Sequence, residues 1–415
     1  MTQTRTSRSK SRKSPRWHKV EGGVTAPQGY LASGVSAGIK KKGLDLAVLF
    51  SSQSASAAGV FTLNRVQAAP VILSKDNLNT SRGRSRAILI NSGCANACTG
   101  DRGMQDSVLS TQCLASHLNV DPCQILVAST GVIGSFLPVP KVLKGISAAV
   151  SALNSQGGTA AAQAIMTTDT REKCFAIEGR IAEKSVRIGG MAKGSGMIHP
   201  QMATMIAALS TDVRIAPREL GKLLRRVSDR TFNCLTVDGD TSTNDTVFIM
   251  ANGASGAPIV DSRSSAFFEE GLKLVCEQLA RKIAEDGEGA TKLVEVRVRG
   301  ALDFENARKV AKTIANSSLV KTAIYGEELN WGRILCAAGY SGIPFDPEKI
   351  VLSLNGIPIF RNGSPVGSTR ARAEKAMKAH EIRIDVDLAG GRSSARVWTC
   401  DLSHDYVNIN ASYIS

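Results

Sequence analysis

Lys193-Gly194-Ser195-Gly196-Met197-Ile198-His199-Pro200-Gln201-Met202-Ala203-Thr204-Met205-Ile206-Ala207-Ala208-Leu209 lies almost at the midpoint of a 415-residue chain. A glycine-rich loop, where backbone bends without Cβ clashes, runs through Pro200 to the small residue Ala203. Thr204 then opens an apolar run, Met205 to Leu209, of strand length. A β-branched hydroxyl residue therefore stands where a flexible loop enters a stiff element. That is the geometry an autoproteolytic threonine needs, since its Oγ must reach the carbonyl carbon of Ala203. That acyl shift would free the Thr204 α-amine, with a reference pKa of about 7.7–8.0, and hydrolysis of the ester would then free the hydroxyl and make Thr204 a new N-terminus. Such an amine can take the proton of its own hydroxyl, the N-terminal threonine form of an activated nucleophile. The same Ala-Thr pair is also an ordinary entry into a strand, and the residues alone do not choose.

Working outward, Leu46-Ala47-Val48-Leu49-Phe50, Ala87-Ile88-Leu89-Ile90-Asn91 and Ile125-Leu126-Val127-Ala128 are short apolar runs expected as buried strands. The third runs into Ser129-Thr130-Gly131, where free backbone N–H groups and a hydroxyl can meet a ligand, or simply make a turn. Met166-Thr167-Thr168-Asp169-Thr170 offers hydroxyls and a carboxylate for a polar substrate or for capping a helix. Lys193 is either a surface lysine or, if buried, a carboxylate ligand able to depress a neighbouring amine. Thr236 to Asn244 is dense in Asp, Thr and Ser but lacks the ligand spacing of a calcium loop. Gly287-Glu288-Gly289-Ala290-Thr291-Lys292 lacks the spacing of a phosphate loop.

These segments, with Asn330-Trp331-Gly332-Arg333 and the terminal Asn410 to Ser415, occur in one order from about Gly22 to Ser415. The ordered set resembles the ornithine acetyltransferase family, the glutamate N-acetyltransferases of arginine biosynthesis. The resemblance implies a layered α/β fold of the ornithine acetyltransferase and self-cleaving aminopeptidase type, cut between Ala203 and Thr204. It implies Thr204 as nucleophile and Thr130 and Gly131 as the oxyanion hole, where each donor contributes a few kcal/mol. Thr167, Lys193, Thr204, Glu288, Asn410 and Ser415 are the implied substrate ligands, Glu288 being suited to the side-chain ammonium of ornithine. The implied reaction moves acetyl from N2-acetylornithine to L-glutamate by a ping-pong route through acetyl-Thr204. Neither a cofactor nor a metal is implied, and acetyl-CoA is a second donor if the chain is bifunctional. The Thr236–Asn244 loop is then structure around the site. Two departures from the family pattern stand out: Glu328-Leu329 where Asp-Pro is expected, and Cys94 where Asn is common.

Composition reads as that of an ordinary soluble globular protein: 43% of residues are hydrophobic and 21% charged. No apolar run reaches the roughly 18 residues of a membrane span. Of the net charge of +15, nearly half comes from Arg5, Arg8, Lys10, Arg12, Lys13, Arg16 and Lys19. That Ser-rich tail, free of acids through residue 20, is expected to be disordered over residues 1–21, a solvated extension rather than a nucleic-acid arm or a transit peptide. Nine scattered cysteines and only five histidines read as buried thiols in a reducing compartment, not as a zinc site, and the expected location is the cytoplasm.

The expected organisation is therefore 1–21 as tail, 22–203 as the N-terminal fragment and 204–415 as the C-terminal fragment. The fragments would stay together in an α2β2 heterotetramer, with no nucleic-acid or membrane partner. Met104 to Leu118, the stretch after Pro217, and Phe268 to Ile283 have helical periodicity. Val294, Val296 and Val298 alternate with charged residues as a half-exposed strand. Ile350–Leu354 and Ile357–Phe360 flank Asn355-Gly356 as a hairpin. Ile382 to Leu388 and Ala395 to Thr399 are expected to pair across Gly390-Gly391. The rival reading is a self-cleaving aminopeptidase or amidase of related fold, with water as the acceptor.

Overall fold

A computed structural model describes residues 16–199 and 205–412. Ala203, Thr204 and Ser415 lie outside the described residues.

Wholly apolar strands need cover on both faces, and the N-terminal two-thirds of the chain supplies it. Among the described residues the first sheet has nine strands: β1 His18–Val20, β2 Tyr30–Val35, β3 Leu46–Phe61, β4 Arg84–Cys94, β5 Ile125–Val132, β6 Lys173–Ile181, β7 Lys184–Lys193, β8 Ile206–Thr211 and β9 Thr246–Ala251. Their order is β1-β6-β7-β8-β9-β3-β4-β5, with β2 also on β3. The helices between them are α1 Ala69–Thr80, α2 Gly100–Leu118, α3 Val139–Ser151, α4 Gly158–Ala164, α5 Pro217–Arg230 and α6 Ser262–Glu285. Alternate residues of β3 go to opposite layers. Leu46 and Val48 pack with Leu114, Val142 and Ile146 of α2 and α3, while Ala47 and Leu49 pack with Ala161 and Ala162 of α4.

The strands on either side of Thr204 are neighbours. β7 and β8 pair antiparallel from Ile188↔Thr211 to Lys193↔Ile206. Ala207 and Leu209 also join a cluster with Leu220, Leu272 and Leu279 of α5 and α6. Each such leucine contributes about 1.5–3 kcal/mol when fully buried, so core and ladder together tie β8 to the sheet of the preceding residues.

The C-terminal part adds β10 Leu293–Ala301, β11 Val351–Leu354, β12 Ile357–Arg361, β13 Ser364–Pro365, β14 Glu381–Asp387 and β15 Ser393–Cys400, with α7 Phe304–Asn316, α8 Ser318–Tyr325, α9 Trp331–Gly339, α10 Arg370–Ala376 and α11 His404–Ser412. This second sheet runs β13-β12-β11-β14-β10-β15. Helix α6 touches β6 and β7 of the first sheet and β10 and β15 of the second.

β11 and β12 form the expected hairpin, and Asn355 and Gly356 both have positive φ, +48° and +79°. The other expected pairing is overturned. β14 and β15 are not partners, because β10 lies between them, parallel to β14 and antiparallel to β15. The Gly390-Gly391 segment instead crosses the end of β10. A Cβ on Gly391 would stand 2.1 Å from the Ala301 carbonyl oxygen.

The expected tail also ends earlier than residue 21. His18–Val20 pair with β6, and Trp17 stacks on Phe267 with centroids 4.6 Å apart and donates from Nε1 to the Phe267 carbonyl at 3.1 Å. Burying one indole offsets the ordering of the short strand beside it. Residues 1–15 lie outside the described residues. Of the nine cysteines, Cys94, Cys234, Cys276 and Cys400 are buried, whereas Cys98 and Cys336 are exposed. Among the described residues no helix is long and apolar enough to cross a membrane.

Candidate active site

The site begins where β4 and β5 end. These parallel strands approach so closely at Gly93↔Gly131 that a Cβ on Gly131 would lie 2.3 Å from the Gly93 carbonyl carbon. Gly131 also has φ +128°, so glycine is required there. The Asn244 side-chain amide fastens the two strand ends together, donating to the carbonyls of Ala95 at 2.6 Å and Ser129 at 2.8 Å. The Thr130 side chain faces the end of β7. There the buried Lys193 donates from Nζ to Thr130 Oγ1 at 3.1 Å and to Thr167 Oγ1 at 2.8 Å.

Burial lowers the Lys193 pKa, Asp169 pulls it back up, and Lys173 lowers it again. Asp169 is the acid of the Met166–Thr170 segment. Burial alone raises its carboxyl, but Lys193, Lys173 and the bonds from Lys173 and Gly194 outweigh that and bring it to about 2. Asp169 accepts from the amides of Thr167 at 3.0 Å and Gly194 at 2.7 Å. This carboxylate therefore ties the threonine turn to the glycine-rich loop. A plain helix cap would not do so.

The second wall comes from the C-terminal part. After α6, Glu288 is buried, its amide donating to the Ser195 carbonyl at 3.0 Å. Its carboxylate lies flat against Gly196 and accepts from Asn410 Nδ2 of α11 at 2.9 Å. Asp238 accepts from the amides of Met197 at 2.6 Å and Ile198 at 2.8 Å, shaping the loop that leads to Pro200. Burial raises the Asp238 pKa, and its backbone hydrogen bonds oppose that rise. Tyr406 of α11 closes the same side. Burial, followed by the charges of Asp238 and Glu288, raises its hydroxyl pKa.

A cavity of about 390 Å³ results, with Thr130, Gly131, Thr167, Lys193, Glu288 and Asn410 in its wall. Six of the expected site residues, separated by up to 280 positions in the chain (Asn410 minus Thr130), thus meet in one place. Met205 and Ile206, which follow Thr204, line it too. The expected site residues Ala203, Thr204 and Ser415 lie outside the described residues. Of the Thr236–Asn244 loop, expected as structure around the site, Asp238 and Asp240 to Asn244 line the cavity. Sequence reasoning does not single out Tyr406 or Thr168. Tyr406 lies four residues before Asn410, one helical turn, and that spacing is the signal that would have found it. Of the two departures from the family pattern, Cys94 is buried at the end of β4 with its thiol on the Ser135 carbonyl at 3.2 Å. Glu328 accepts from the Asn330 side chain at 3.1 Å, and Asn330 caps α9.

Hydroxyls, a buried lysine and a carboxylate gathered at the strand ends make this a layered α/β protein with a site for a small polar molecule. The chain belongs to the ArgJ family, whose model matches residues 31–415. It is 48% identical over 398 residues to the arginine biosynthesis bifunctional protein ArgJ of Parasynechococcus marenigrum, an alignment that covers 96% of each chain. It is likewise 48% identical over 399 residues to the protein of the same name from Symbiobacterium thermophilum, covering 95% of this chain and 99% of that one. A crystal structure of the argJ protein from Bacillus halodurans is 44% identical, covering 50% of this chain and 98% of that chain, with a TM-score of 0.48.

Proposed function

We propose that this chain is a glutamate N-acetyltransferase of arginine biosynthesis that moves acetyl from N2-acetylornithine to L-glutamate. The observation that carries the reading is the pairing, in one cavity, of the Lys193 ammonium with the Glu288 carboxylate. Amino-acid substrates carry both a carboxylate and an ammonium, and these two side chains have the complementary charges. Membership of a family whose relatives are named for arginine biosynthesis supports the pathway.

In the proposed cycle the Ala203 acyl group first shifts from the Thr204 nitrogen to the Thr204 hydroxyl, freeing the amine, and water then hydrolyses that ester to an Ala203 carboxylate and a free Thr204 hydroxyl. Thr204 Oγ then adds to the acetyl carbonyl of N2-acetylornithine while that amine takes the hydroxyl proton. Thr130 and the backbone of Gly131 stabilise the oxyanion. Thr130 Oγ1 accepts from Lys193, which leaves its own O–H to be donated. The C–N bond breaks, the proton passes to the departing ornithine amine, and acetyl-Thr204 remains. The amine of glutamate attacks that ester, and N-acetylglutamate leaves with Thr204 restored. Thr167, Lys193, Glu288, Asn410 and Ser415 bind the substrates.

No step of this cycle calls for a cofactor. The relatives are named bifunctional, and the second activity we assign to this chain is acetylation of Thr204 by acetyl-CoA. The two fragments, ending at Ala203 and beginning at Thr204, remain joined through β7 and β8 and assemble as α2β2 in the cytoplasm. The deciding measurement is consumption of N2-acetylornithine with and without glutamate. Glutamate-dependent consumption, with one N-acetylglutamate made per ornithine released, is expected. Equal consumption without an acceptor would make the enzyme a hydrolase.

A further inference from the structure

Lys173 opens β6 and has no part in the proposed chemistry. Its side chain is nevertheless 1% exposed, with Nζ 2.6 Å from Asp169 Oδ1 and 2.5 Å from Asp286 Oδ2. An ammonium buried between two buried carboxylates is a poor way to stabilise a fold. Desolvating the charges offsets most of their attraction, and apolar residues of similar volume do as well or better. What distinguishes the arrangement is what each carboxylate holds.

Asp169 accepts from the amides of Thr167 and Gly194. Thr167 is bonded to Lys193 through its hydroxyl, and Gly194 follows Lys193 in the chain. Asp286 accepts from the amide of Thr170 at 3.1 Å and from the Thr170 hydroxyl. Its carbonyl accepts from the Ser195 hydroxyl at 2.7 Å, and Glu288 stands two residues further on with its amide on the Ser195 carbonyl. The Asp169 carboxylate thus fixes the Lys193 side of the cavity, and the Asp286 carboxylate ties the segment of Thr170 to the residue whose backbone holds Ser195, two positions before Glu288. Lys173 bridges the two. The two lysines and the two aspartates also balance in charge, so Lys193 is not left as an isolated buried cation.

We propose that Lys173, clamped between Asp169 and Asp286, is a positioning residue that sets the separation of Lys193 from Glu288, and so the fit of an amino acid bearing both a carboxylate and an ammonium. The inference rests on the proposed transferase function. If the chain is cut before Thr204, Asp169, Lys173 and Lys193 belong to one fragment, and Asp286 and Glu288 to the other. The clamp then spans an interface at which the covalent connection no longer enforces alignment.

The test uses Lys173→Met and Asp286→Asn in the full-length gene product. Asp286→Asn keeps the side-chain size and the carbonyl that receives Ser195, so it is the deciding variant. Each is expected to raise KM for N2-acetylornithine by about tenfold or more, with a smaller change in kcat. Ornithine affinity measured by calorimetry is expected to weaken in parallel. A lysine that served the fold alone would lower the thermal midpoint and leave KM and ornithine affinity unchanged. A folded Asp286→Asn enzyme with wild-type KM for both substrates overturns the inference. If that variant does not fold, Thr170→Val, which removes one hydrogen bond to Asp286, is read by the same criterion. Absence of acetyl transfer in the wild-type enzyme would count against the proposed function, a distinct result.

Discussion

Lys193 and Thr130 stand 63 residues apart in the chain and are joined by a 3.1 Å hydrogen bond from Nζ to Oγ1 in the wall of one cavity. An ammonium has three N–H donors, and the bonds to Thr130 and Thr167 occupy two of them. The remaining donor is available to a substrate carboxylate. Because burial lowers the Lys193 pKa, substrate affinity is expected to weaken on the alkaline side at a pH below that at which an exposed lysine titrates. Lys193→Met should raise KM by about tenfold to a hundredfold, the value of a lost charge-assisted hydrogen bond, and should abolish that alkaline limb. A KM–pH profile of both enzymes checks this, and an unchanged limb in Lys193→Met would assign the titration elsewhere.

Thr204 carries both halves of the proposed chemistry, cleavage and transfer, with the same hydroxyl. Thr204→Ala is therefore expected to give one full-length chain on a denaturing gel and no acetyl transfer. The wild-type protein should give two bands, the C-terminal one beginning Thr-Met-Ile-Ala-Ala on N-terminal sequencing. An uncut wild-type chain that transfers acetyl at normal rates would remove the N-terminal nucleophile from the mechanism.

Much of this was legible in the sequence for a local reason. Leu46–Phe50, Ala87–Asn91 and Ile125–Ala128 read as strands because alternate residues enter opposite layers, which leaves no polar face to blur the pattern. What was not legible is non-local or lacks its usual markers. The β6–β7 hairpin turns at Ala182-Glu183, both at positive φ, without the Asn or Gly that ordinarily announces such a turn. Gly390-Gly391 signals a local reversal, yet β10, from nearly a hundred residues earlier, takes the place between the strands it joins. Helix α11 has no buried residue and so no apolar stripe to betray it. Its contribution of Tyr406 to the cavity could be reached only through its one-turn spacing from Asn410, itself expected through the family resemblance alone.

His199 and Asp169 are among the groups that give the folded state an acid-sensitive stability. His199 is lowered to about 4 by burial, with Lys312 adding to the effect, against an ordinary value of about 6.5. The unfolded chain therefore takes up this proton first, and the contribution present above about pH 6.5 is lost as the pH falls through about 4. Asp169, held at about 2 against about 3.9 unfolded, is also depressed. Its contribution is complete above about pH 4 and is lost as the pH falls toward 2. The thermal midpoint is thus expected to decline in two phases. His199→Gln should remove the phase between about pH 6.5 and 4 and preserve the lower one. Identical pH profiles for the two proteins would exclude His199 as the source.

Two glycines of the site separate fold from recognition. At Gly131 a methyl group would meet backbone at 2.3 Å under a φ of +128°, so Gly131→Ala should cost about 1–3 kcal/mol in backbone strain before the clash is counted. Gly196 differs, because its φ is not in the left-handed region and the three atoms nearest its Cβ would all be of the Glu288 side chain, with Oε2 at 2.3 Å and Oε1 at 2.5 Å. A carboxylate at the end of a side chain can swing aside, but doing so breaks its 2.9 Å bond to Asn410 and withdraws the charge that we propose meets the ornithine ammonium. Gly196→Ala is therefore expected to shift the thermal midpoint little and to raise KM for N2-acetylornithine by about tenfold or more. KM for glutamate, whose side chain carries no ammonium, should move less. A Gly196→Ala enzyme with unchanged KM for the donor, or with equal losses for donor and acceptor, would show that Glu288 does not receive the ornithine side chain.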